Sequence, residues 1–531
     1  MNLRLILIRF RQSKFFPIAV ILLFACLLEI TIFNCKHWSS FFAKKSDSYK
    51  VEYGSAFIKQ NDGTFLIGEG DQTIDFSDIN VVLKSSLINI DIVKGDEGRF
   101  YAIPIWQAVT DFSHDEFYGI GERVIYPDLK RSEYLLYHLY GEAHELRIGL
   151  NIPVGTVISV DTELNPHVPI MFSFKRFIWV VLFLLFMYVF RPSSGLYRIT
   201  YLKIPYKVLL LILILFFVFN ASVFNYLSNV NPFFQWERGD SQEQYQLLAD
   251  AIKGGKFSLD IEVPQILKNL DNPYDRIQRE RAFEGTGQWY RWDHAYYKGK
   301  YYVYFGVVPV LVFYLPALLI TGIQLSNHTA VFFASLLLLL GILGTIHEFI
   351  KKWFPKLSLG MWLLLTESLL LGSNTIYMLK RPDLYTVPII TGLAFGFLGL
   401  WFFLQSIGKD EIRYNFVAIG SLFTALVAGC RPQLFLMFAF FFVLYSPIIF
   451  NKTKLISPEG GKLALELLVP MFAVALFLML YNFKRFGSPF DFGANYNLNF
   501  NDMRYRKWFW GRVPLGLWAS LLQPVKIIQN F

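Results

Sequence analysis

Charged residues and cysteines are both scarce in this chain of 531 residues. Asp, Glu, Lys and Arg make up 17% of the sequence, whereas hydrophobic residues make up 54% and the mean hydropathy is +0.39. This balance excludes an ordinary water-soluble domain, in which about a quarter of the residues are charged. The three cysteines, Cys26, Cys35 and Cys430, lie in or at the ends of apolar segments. We therefore expect no structural disulfide.

Long apolar runs are abundant instead. About ten segments approach the length of roughly 20 residues that a helix needs to cross a bilayer. They predict an all-α polytopic membrane protein. The net charge of +9 does not indicate nucleic-acid binding, because Lys and Arg lie mainly beside the apolar segments, as in cytoplasmic loops. The first segment, Phe15–Phe33, follows four basic residues and precedes no cleavage pattern, so residues 1–35 are predicted to be a retained anchor with a cytoplasmic N-terminus.

A polar segment, residues 36–166, follows the anchor. It contains alternating stretches such as LINIDIV (Leu87–Val93) between Gly and Asp turns, a pattern typical of antiparallel strands. We predict an inserted β-rich extracytoplasmic domain that is large enough for its own core. Some of its aromatic residues either pack in that core, as is common in strands, or line a sugar-binding groove; they are Trp106, Phe117, Tyr118 and Tyr126.

Residues 167–531 are predicted to form a multi-spanning membrane domain with a large external loop, 228–302. The positive-inside rule places the basic loop KKWFPK in the cytoplasm. If every preceding apolar segment crossed the membrane, this loop would lie outside. One of these segments is therefore predicted not to cross. Our candidate is Val303–Ile323, which contains two prolines and would be re-entrant. The alternative is that the KKWFPK loop violates the charge rule.

The first cluster of candidate catalytic residues in the external loop is QWERGDSQEQYQLLADAIKGG (Gln235–Gly255). Asp240 is predicted to open a helix, because Tyr245, Leu248 and Ile252 follow at helical spacing and two glycines end the run. Asp240 is then either a simple N-cap or a carboxylate at the membrane surface. In the second role it would accept the proton of an attacking hydroxyl group.

A second cluster runs through LDNPYDRIQRER (Leu270–Arg281) and WYRWDHAYYKGKYYVYFGVVP (Trp289–Pro309). It combines carboxylates with many arginines, lysines and aromatic residues. Such carboxylates could transfer protons and such cations could stabilise a phosphate leaving group, while the aromatic rings could stack on sugars. The alternative is an interfacial anchor whose charges pair with one another.

These motifs carry a resemblance to a known family. Asp240 with QYQLLADAIKGG, then DNPYD, then DHAYYKGKYYVYFGVVPVLVFYLPALLITG resembles the first external loop of the GT-C glycosyltransferases. The bacterial relatives of protein O-mannosyltransferases and of the lipid A aminoarabinose transferase are the most similar. KRPDLYTVPIITG, GCRPQ and YNFKRFGSPFDFGANYNL also match blocks of these proteins. The resemblance implies a GT-C-like fold, a polyprenyl-phosphate sugar donor and inversion at the anomeric carbon.

The resemblance also implies roles for individual residues. Asp240 matches the position of the catalytic carboxylate and would be the general base, and Asp293 is a candidate for a second acidic or metal-associated position. Where relatives have two adjacent acids, Asp240 is followed by Ser241, so a divalent cation, Mg²⁺ or Mn²⁺, remains an open expectation. The further candidates for substrate binding are Glu243, Arg276, Arg291, Lys300, Lys380, Arg381, Asp383, Arg431 and Arg485.

The function we predict is sugar transfer from a polyprenyl-phosphate carrier to an extracytoplasmic cell-envelope glycan, lipid or protein. The enzyme would be a multi-pass protein of the plasma membrane, with its active site on the extracytoplasmic face. Two alternatives remain: a transporter or lipid flippase for envelope precursors, and a non-catalytic scaffold. The charged residues cluster in external loops and the sequence contains no repeated halves, which favours the transferase. Many relatives continue through more helices, so we expect a short form or a piece of a longer protein.

Overall fold

The computed structural model describes residues 16–45, 48–94, 102–127, 129–139, 141–229, 243–304, 306–408, 411–451, 456–505 and 509–523. The chain divides into two compact units. The first contains Met1–Arg191 and Gly516–Phe531, and the second contains Pro192–Leu515.

The first unit combines helices with strands. Its helices are α1 (Phe16–Ile30), α2 (Cys35–Ser40), α3 (Lys130–Glu133) and α4 (Phe174–Val189). Its strands are β1 (Lys50–Tyr53), β2 (Phe57–Lys59), β3 (Phe65–Ile67), β4 (Thr73–Ser77), β5 (Ser85–Lys94), β6 (Ile103–Asp111), β7 (His114–Ile125), β8 (Tyr134–Leu136), β9 (Ala143–Leu150) and β10 (Val157–Leu164).

The strands form two antiparallel sheets, with the orders β1-β4-β9-β6-β7 and β2-β3-β10-β5-β8. Apolar and polar residues alternate along the strands, which explains why each strand buries one face. In β5, which contains the LINIDIV stretch, Ile88 and Ile90 are buried, and they share one core with Phe76 and Ile148 of the other sheet. The predicted β-rich region is therefore confirmed as a separate two-sheet structure.

The aromatic residues of this region do not all enter its core. Trp106 and Phe117 are 43% and 37% exposed, and Tyr118 donates a hydrogen bond to Asp111. The ring of Trp106 covers Gly149 on the neighbouring strand, where any Cβ would collide with the indole. Core packing, the commoner role, is thus wrong for Trp106 and Phe117, and a sugar-binding role for them stays a prediction.

The second unit is mainly helical. Its helices are α5 (Tyr206–Asn229), α6 (Gln244–Lys253), α7 (Gln265–Lys268), α8 (Arg276–Phe283), α9 (Val307–Thr321, with a π-helical turn at Val310–Tyr314), α10 (Asn327–Trp353), α11 (Leu359–Gly372), α12 (Thr375–Lys380), α13 (Thr386–Ser406), α14 (Tyr414–Cys430), α15 (Ala439–Leu444), α16 (Ser446–Ile449) and α17 (Pro458–Phe486). A short hairpin joins β11 (Ala295–Tyr297) to β12 (Lys300–Tyr302), and helix α18 (Arg512–Leu521) crosses the boundary between the units.

Five helices among the described residues are long and apolar enough to cross a membrane. They are the continuous segment that contains α1 and α2 (Phe16–Ser40), most of α5 (Tyr206–Ser228), α10 (Asn327–Trp353), α13 (Thr386–Ser406) and α17 (Pro458–Phe486). The chain is therefore a membrane protein with a β region, but ten spans are not confirmed. Several predicted segments form shorter helices, because backbone breaks divide them; for example, Asn374 adopts φ +60° between α11 and α12.

Helix α9, the predicted re-entrant segment, packs along α6. Tyr245 of α6 contacts the backbone at Gly306 before α9, and its ring lies 5.5 Å from that of Tyr314 in the middle of α9. The neighbouring Gln246 donates a 2.9 Å hydrogen bond to the carbonyl of Leu325 after α9. Because both ends of α9 contact α6, the segment returns to the side from which it starts, which favours the re-entrant interpretation.

Helices α13 and α14 pack closely through small residues. A Cβ on Gly399 would lie 2.3 Å from the hydroxyl of Thr424 and 3.1 Å from the carbonyl of Gly420. Small residues allow such close approach of helices in membranes. This contact fixes the start of α13 beside the end of α14, where the candidate site lies.

Candidate active site

Asp293 lies between α8 and β11, and its backbone is held from two sides. Its N–H donates a 3.0 Å hydrogen bond to the carbonyl of Leu498, and its own carbonyl accepts one of 2.9 Å from Gln244 of α6. The residue adopts φ +56°, a conformation that Asp tolerates better than most residues. Only 4% of Asp293 is exposed. The backbone thus turns the carboxylate inward at a fixed place.

Three side chains from distant parts of the sequence donate hydrogen bonds to this carboxylate. Asn497 donates to Oδ1 at 2.5 Å, Tyr304 donates to Oδ1 at 3.4 Å, and Tyr385 donates to Oδ2. A buried carboxylate requires such donors, because leaving it without partners would cost several kcal/mol. The donors also occupy most of its acceptor positions. Asp293 is therefore better placed to orient Tyr385 than to take up a substrate proton.

Tyr385 links the buried acid to a second acid, Asp383. The N–H groups of Tyr385 and Thr386 donate to Asp383 Oδ1 at 3.0 and 2.8 Å, at the start of α13. The other oxygen, Oδ2, lies 3.2 Å from Nε of Arg381. Asp383 thus stabilises the helix start, a common role of Asp, while it also holds Arg381 at this end of the helix.

A cationic group, the guanidinium of Arg431, lies beside the ring of Tyr385. The guanidinium carbon of Arg431, which follows α14, is 5.9 Å from the centre of the Tyr385 ring, within cation–π range. Lys380 ends α12 and is partly buried, and the Arg381 side chain is half exposed. Of the predicted site residues, the structure therefore brings together Asp293, Arg381, Asp383 and Arg431 around one tyrosine.

The tyrosine hydroxyls at this site stay protonated. Burial, together with the charge of Asp293, raises the pKa of Tyr385 and of Tyr304 above the ordinary value for tyrosine. Burial also raises the pKa of Tyr245, whose hydroxyl donates a 2.6 Å hydrogen bond to the carbonyl of Leu384. At neutral pH all three hydroxyls are therefore donors and cannot act as bases.

Arg485, a predicted substrate-binding residue, is buried inside the second unit. It is 4% exposed and donates to the carbonyl of Val303 at 2.5 Å and to the amide oxygen of Asn482 at 2.6 Å. Its guanidinium also lies 3.8 Å from the centre of the Tyr481 ring. These partners are internal, so Arg485 ties the end of α17 to the segment before α9. The sequence does not show this burial, because it does not show which face of α17 is packed, and the substrate-binding role of Arg485 stays a prediction.

The other predicted residues of the external loop have separate surroundings. Glu243 is exposed at the start of α6, and Lys300 is exposed on β12. Arg276 pairs with Glu280 at 2.6 Å on the surface of α8. Arg291 donates its backbone N–H to the hydroxyl of Tyr301 at 3.3 Å. No described hydrogen bond or ion pair joins Glu243, Arg276 or Lys300 to Asp293.

Asp240, the predicted general base, lies outside the described residues. The helix that it was expected to open begins later, at Gln244, with Glu243 at the N-cap and Gly254 at the C-cap. The predicted helix is therefore confirmed, but its start at Asp240 is wrong, since Glu243 takes the N-cap position. The catalytic role of Asp240 stays a prediction.

A divalent cation does not fit the described part of this site. Among the described residues no three His, Cys, Asp or Glu side chains come together as potential metal ligands. Both oxygens of Asp293 already accept hydrogen bonds from Tyr385, Tyr304 and Asn497. We therefore assign none of these residues to a metal ion.

Sequence reasoning missed the residues that hold Asp293 in place. Tyr385 lies in the motif KRPDLYTVP, and Asn497 lies in GANYNL, but neither was assigned a role. The available signal was physical: an Asp close to the aromatic strand AYY needs donors if it is buried. Which donors it finds depends on contacts over 92 and 204 residues of sequence.

Comparison with known proteins gives no match: no family model, no curated protein and no solved structure corresponds to this chain. The likeness to GT-C glycosyltransferases therefore depends on the motifs quoted above.

Proposed function

We propose that this protein is an integral membrane glycosyltransferase of the GT-C type. It would transfer a sugar from a polyprenyl-phosphate carrier to a cell-envelope acceptor on the extracytoplasmic face of the membrane. The observation that carries this proposal is the convergence of a buried acid, Asp293, with Tyr385 and the cations Arg381 and Arg431 at one end of the apolar helices.

The positions of cations at the opposite helix ends support the proposed extracytoplasmic side of the site. Lys352, at the end of α10, donates a hydrogen bond to the carbonyl of Ile407 after α13. Lys462, near the start of α17, lies 4.4 Å from the ring of Tyr414 at the start of α14. The positive-inside rule assigns this end to the cytoplasm. The Asp293 end then faces outward, where a lipid-linked sugar would be presented.

The chemistry requires a cationic environment for the leaving group. In the proposed single displacement, the acceptor oxygen forms a bond to the anomeric carbon while the bond from that carbon to the phosphate oxygen breaks. Arg431, Arg381 and Lys380 would stabilise the departing phosphate, which leaves with the bonding electron pair. The proton of the acceptor hydroxyl would pass to the carboxylate of Asp240.

Asp293 has a different proposed role from Asp240. Its bond to the Tyr385 hydroxyl fixes the ring against Arg431, so the acid positions the cation that receives the phosphate. Fixed donors and cations stabilise developing charge better than mobile ones. Asp293 is thus a positioning residue in this mechanism.

One observation favours the alternative of a transporter. Glu367 in α11 accepts a 3.0 Å hydrogen bond from Asn220 in the middle of α5. An ionisable residue within an apolar helix often marks a transport pathway. Asp293 and its cations lie at helix ends instead, which is the arrangement expected for chemistry on a membrane-anchored donor.

The proposal is tested by profiling envelope glycans in a deletion strain that is complemented with variants. Asp240→Asn and Arg431→Gln should each fail to restore the missing glycan, although both proteins insert and fold. Asp260→Asn is the matched control, because this side chain is exposed in the same external loop. Glu367→Gln should restore the glycan.

Assays of the purified protein then distinguish glycosyl transfer from transport. Transfer from a purified polyprenyl-phosphate sugar should be lost in Asp240→Asn and retained in Asp260→Asn. If Asp240→Asn retained full transfer, or if Glu367→Gln alone abolished the glycan, the transferase assignment would be wrong.

A further inference from the structure

The first unit contains a small cavity with an unusual lining. It has a volume of about 50 Å³, roughly three times the minimum that one water requires. Three cationic side chains line it, and each is partly buried. The lining residues are Lys36, Arg123, Val124, Tyr126, Leu129, Arg131, Ser132 and Leu135.

The cations in this cavity have neutral partners. Lys36 donates to the carbonyls of Arg131 and Tyr134 at 3.0 and 2.8 Å, and Arg123 donates to the carbonyl of Leu136 at 2.8 Å. Across the described ranges, no carboxylate forms an ion pair with Lys36, Arg123 or Arg131. Carbonyl groups orient these side chains but do not neutralise their charge.

Glu29, whose negative charge acts on Arg131, is already paired. Glu29 is fully buried and accepts two hydrogen bonds from the guanidinium of Arg176, one of them at 2.8 Å. Burial and the charge of Arg176 lower the pKa of Arg131, as expected where positive charges outnumber negative ones. Among the described residues the three cations of the cavity therefore have no ion-pair partner, and a bound anion would supply one.

The cavity lies where membrane lipid phosphates are expected. Lys36 follows the apolar helix α1, and the Glu29–Arg176 pair joins α1 to the start of the second apolar helix, α4. Basic residues at the polar ends of membrane helices lie at the level of the lipid headgroups. Arginine and lysine are the usual ligands of phosphate in proteins.

We propose that this cavity binds the phosphate group of a membrane phospholipid through Lys36, Arg123 and Arg131. The acyl chains of the lipid would lie along the exposed apolar surfaces of α1 and α4. Phe24 and Leu27 of α1, together with Ile178 of α4, belong to these surfaces. This site is independent of the proposed glycosyl transfer.

Native mass spectrometry of the purified full-length protein tests the proposal. The probes are phosphatidylglycerol, diacylglycerol with the same acyl chains, and inorganic phosphate. Phosphatidylglycerol should bind, whereas diacylglycerol should bind much more weakly because it lacks phosphate. Arg131→Gln should weaken phosphatidylglycerol binding roughly tenfold, which corresponds to about 1.4 kcal/mol.

Arg131 is the informative position, because its guanidinium donates no hydrogen bond to the described part of the chain. Its replacement should leave the fold intact, which thermal unfolding can check. Lys130→Gln is the matched control, since it removes the same charge from an exposed neighbouring residue outside the cavity. The proposal fails if Arg131→Gln binds phosphatidylglycerol as wild type does, if diacylglycerol binds equally well, or if inorganic phosphate alone binds as tightly as the lipid.

Discussion

The two units of this protein each bury a carboxylate, and each satisfies it in a different way. In the first unit, Glu29 forms an ion pair with Arg176 and accepts the N–H of Ser173 at 2.8 Å. In the second unit, Asp293 accepts bonds from two tyrosine hydroxyls and an amide. The first arrangement cancels the charge locally, as a structural joint between helices requires. The second keeps the negative charge and leaves the nearby cations to other partners, as the proposed transferase site would require.

The largest expected effect on stability follows from removing the ion pair between Glu29 and Arg176. Arg176→Gln removes the partner of a buried carboxylate and should lower the free energy of unfolding by about 3–5 kcal/mol. Thermal unfolding in detergent measures this loss. The double variant with Glu29→Gln leaves no uncompensated charge and should recover most of the stability. If the single variant were as stable as wild type, the ion pair between Glu29 and Arg176 would not contribute to stability.

A smaller effect is expected at the other acid. Tyr385→Phe keeps the aromatic ring but removes one donor to Asp293, which should cost about 1–3 kcal/mol in stability. Transfer activity should also fall, because the ring loses its fixed position. Tyr304→Phe is the control, since its hydroxyl is more distant at 3.4 Å and should matter less. Equal losses in both variants would contradict this ranking.

The pKa values of the same two hydroxyls predict that the stability of the protein decreases at alkaline pH. Burial, with the charge of Asp293, raises the pKa of Tyr385 and Tyr304 above the unfolded value of about 10. The folded state therefore holds these protons longer than the unfolded state does. Their contribution to stability is fully present below about pH 10 and is lost as the pH rises further. Unfolding measured between neutral and strongly alkaline pH should show a shallower decline in the double variant Tyr304→Phe/Tyr385→Phe.

The smallest effect is expected at Arg276. Its ion pair with Glu280 is exposed, and such pairs contribute about 0–1 kcal/mol. Arg276→Gln should leave both unfolding and glycan restoration almost unchanged, in contrast to Arg431→Gln. A strong loss of glycan in Arg276→Gln would instead support the predicted role of Arg276 in substrate binding.

Local patterns in the sequence predicted local structure well. The alternation around Ile88 and Ile90 indicated a strand, and the spacing of Tyr245 and Leu248 indicated the helix that begins at Gln244. Hydropathy indicated a membrane protein but overestimated its long helices, because it does not register breaks such as Asn374.

The candidate site was predicted only in part, because its contacts are not local. Asp293, Arg381, Asp383 and Arg431 were named from motifs, and the structure places them around Tyr385. Their arrangement depends on tertiary packing, which no window of sequence contains. The burial of Arg485 was missed for the same reason.

The bond between Asn497 and Asp293 has a consequence for the synthesis of the protein. A ribosome makes Asp293 more than 200 residues before it makes Asn497, and membrane insertion proceeds in the same order. Asp293 therefore has no bond to Asn497 until 204 further residues have been made. A nascent chain that ends before residue 497 would therefore carry every described helix through α17 and still lack this donor to Asp293.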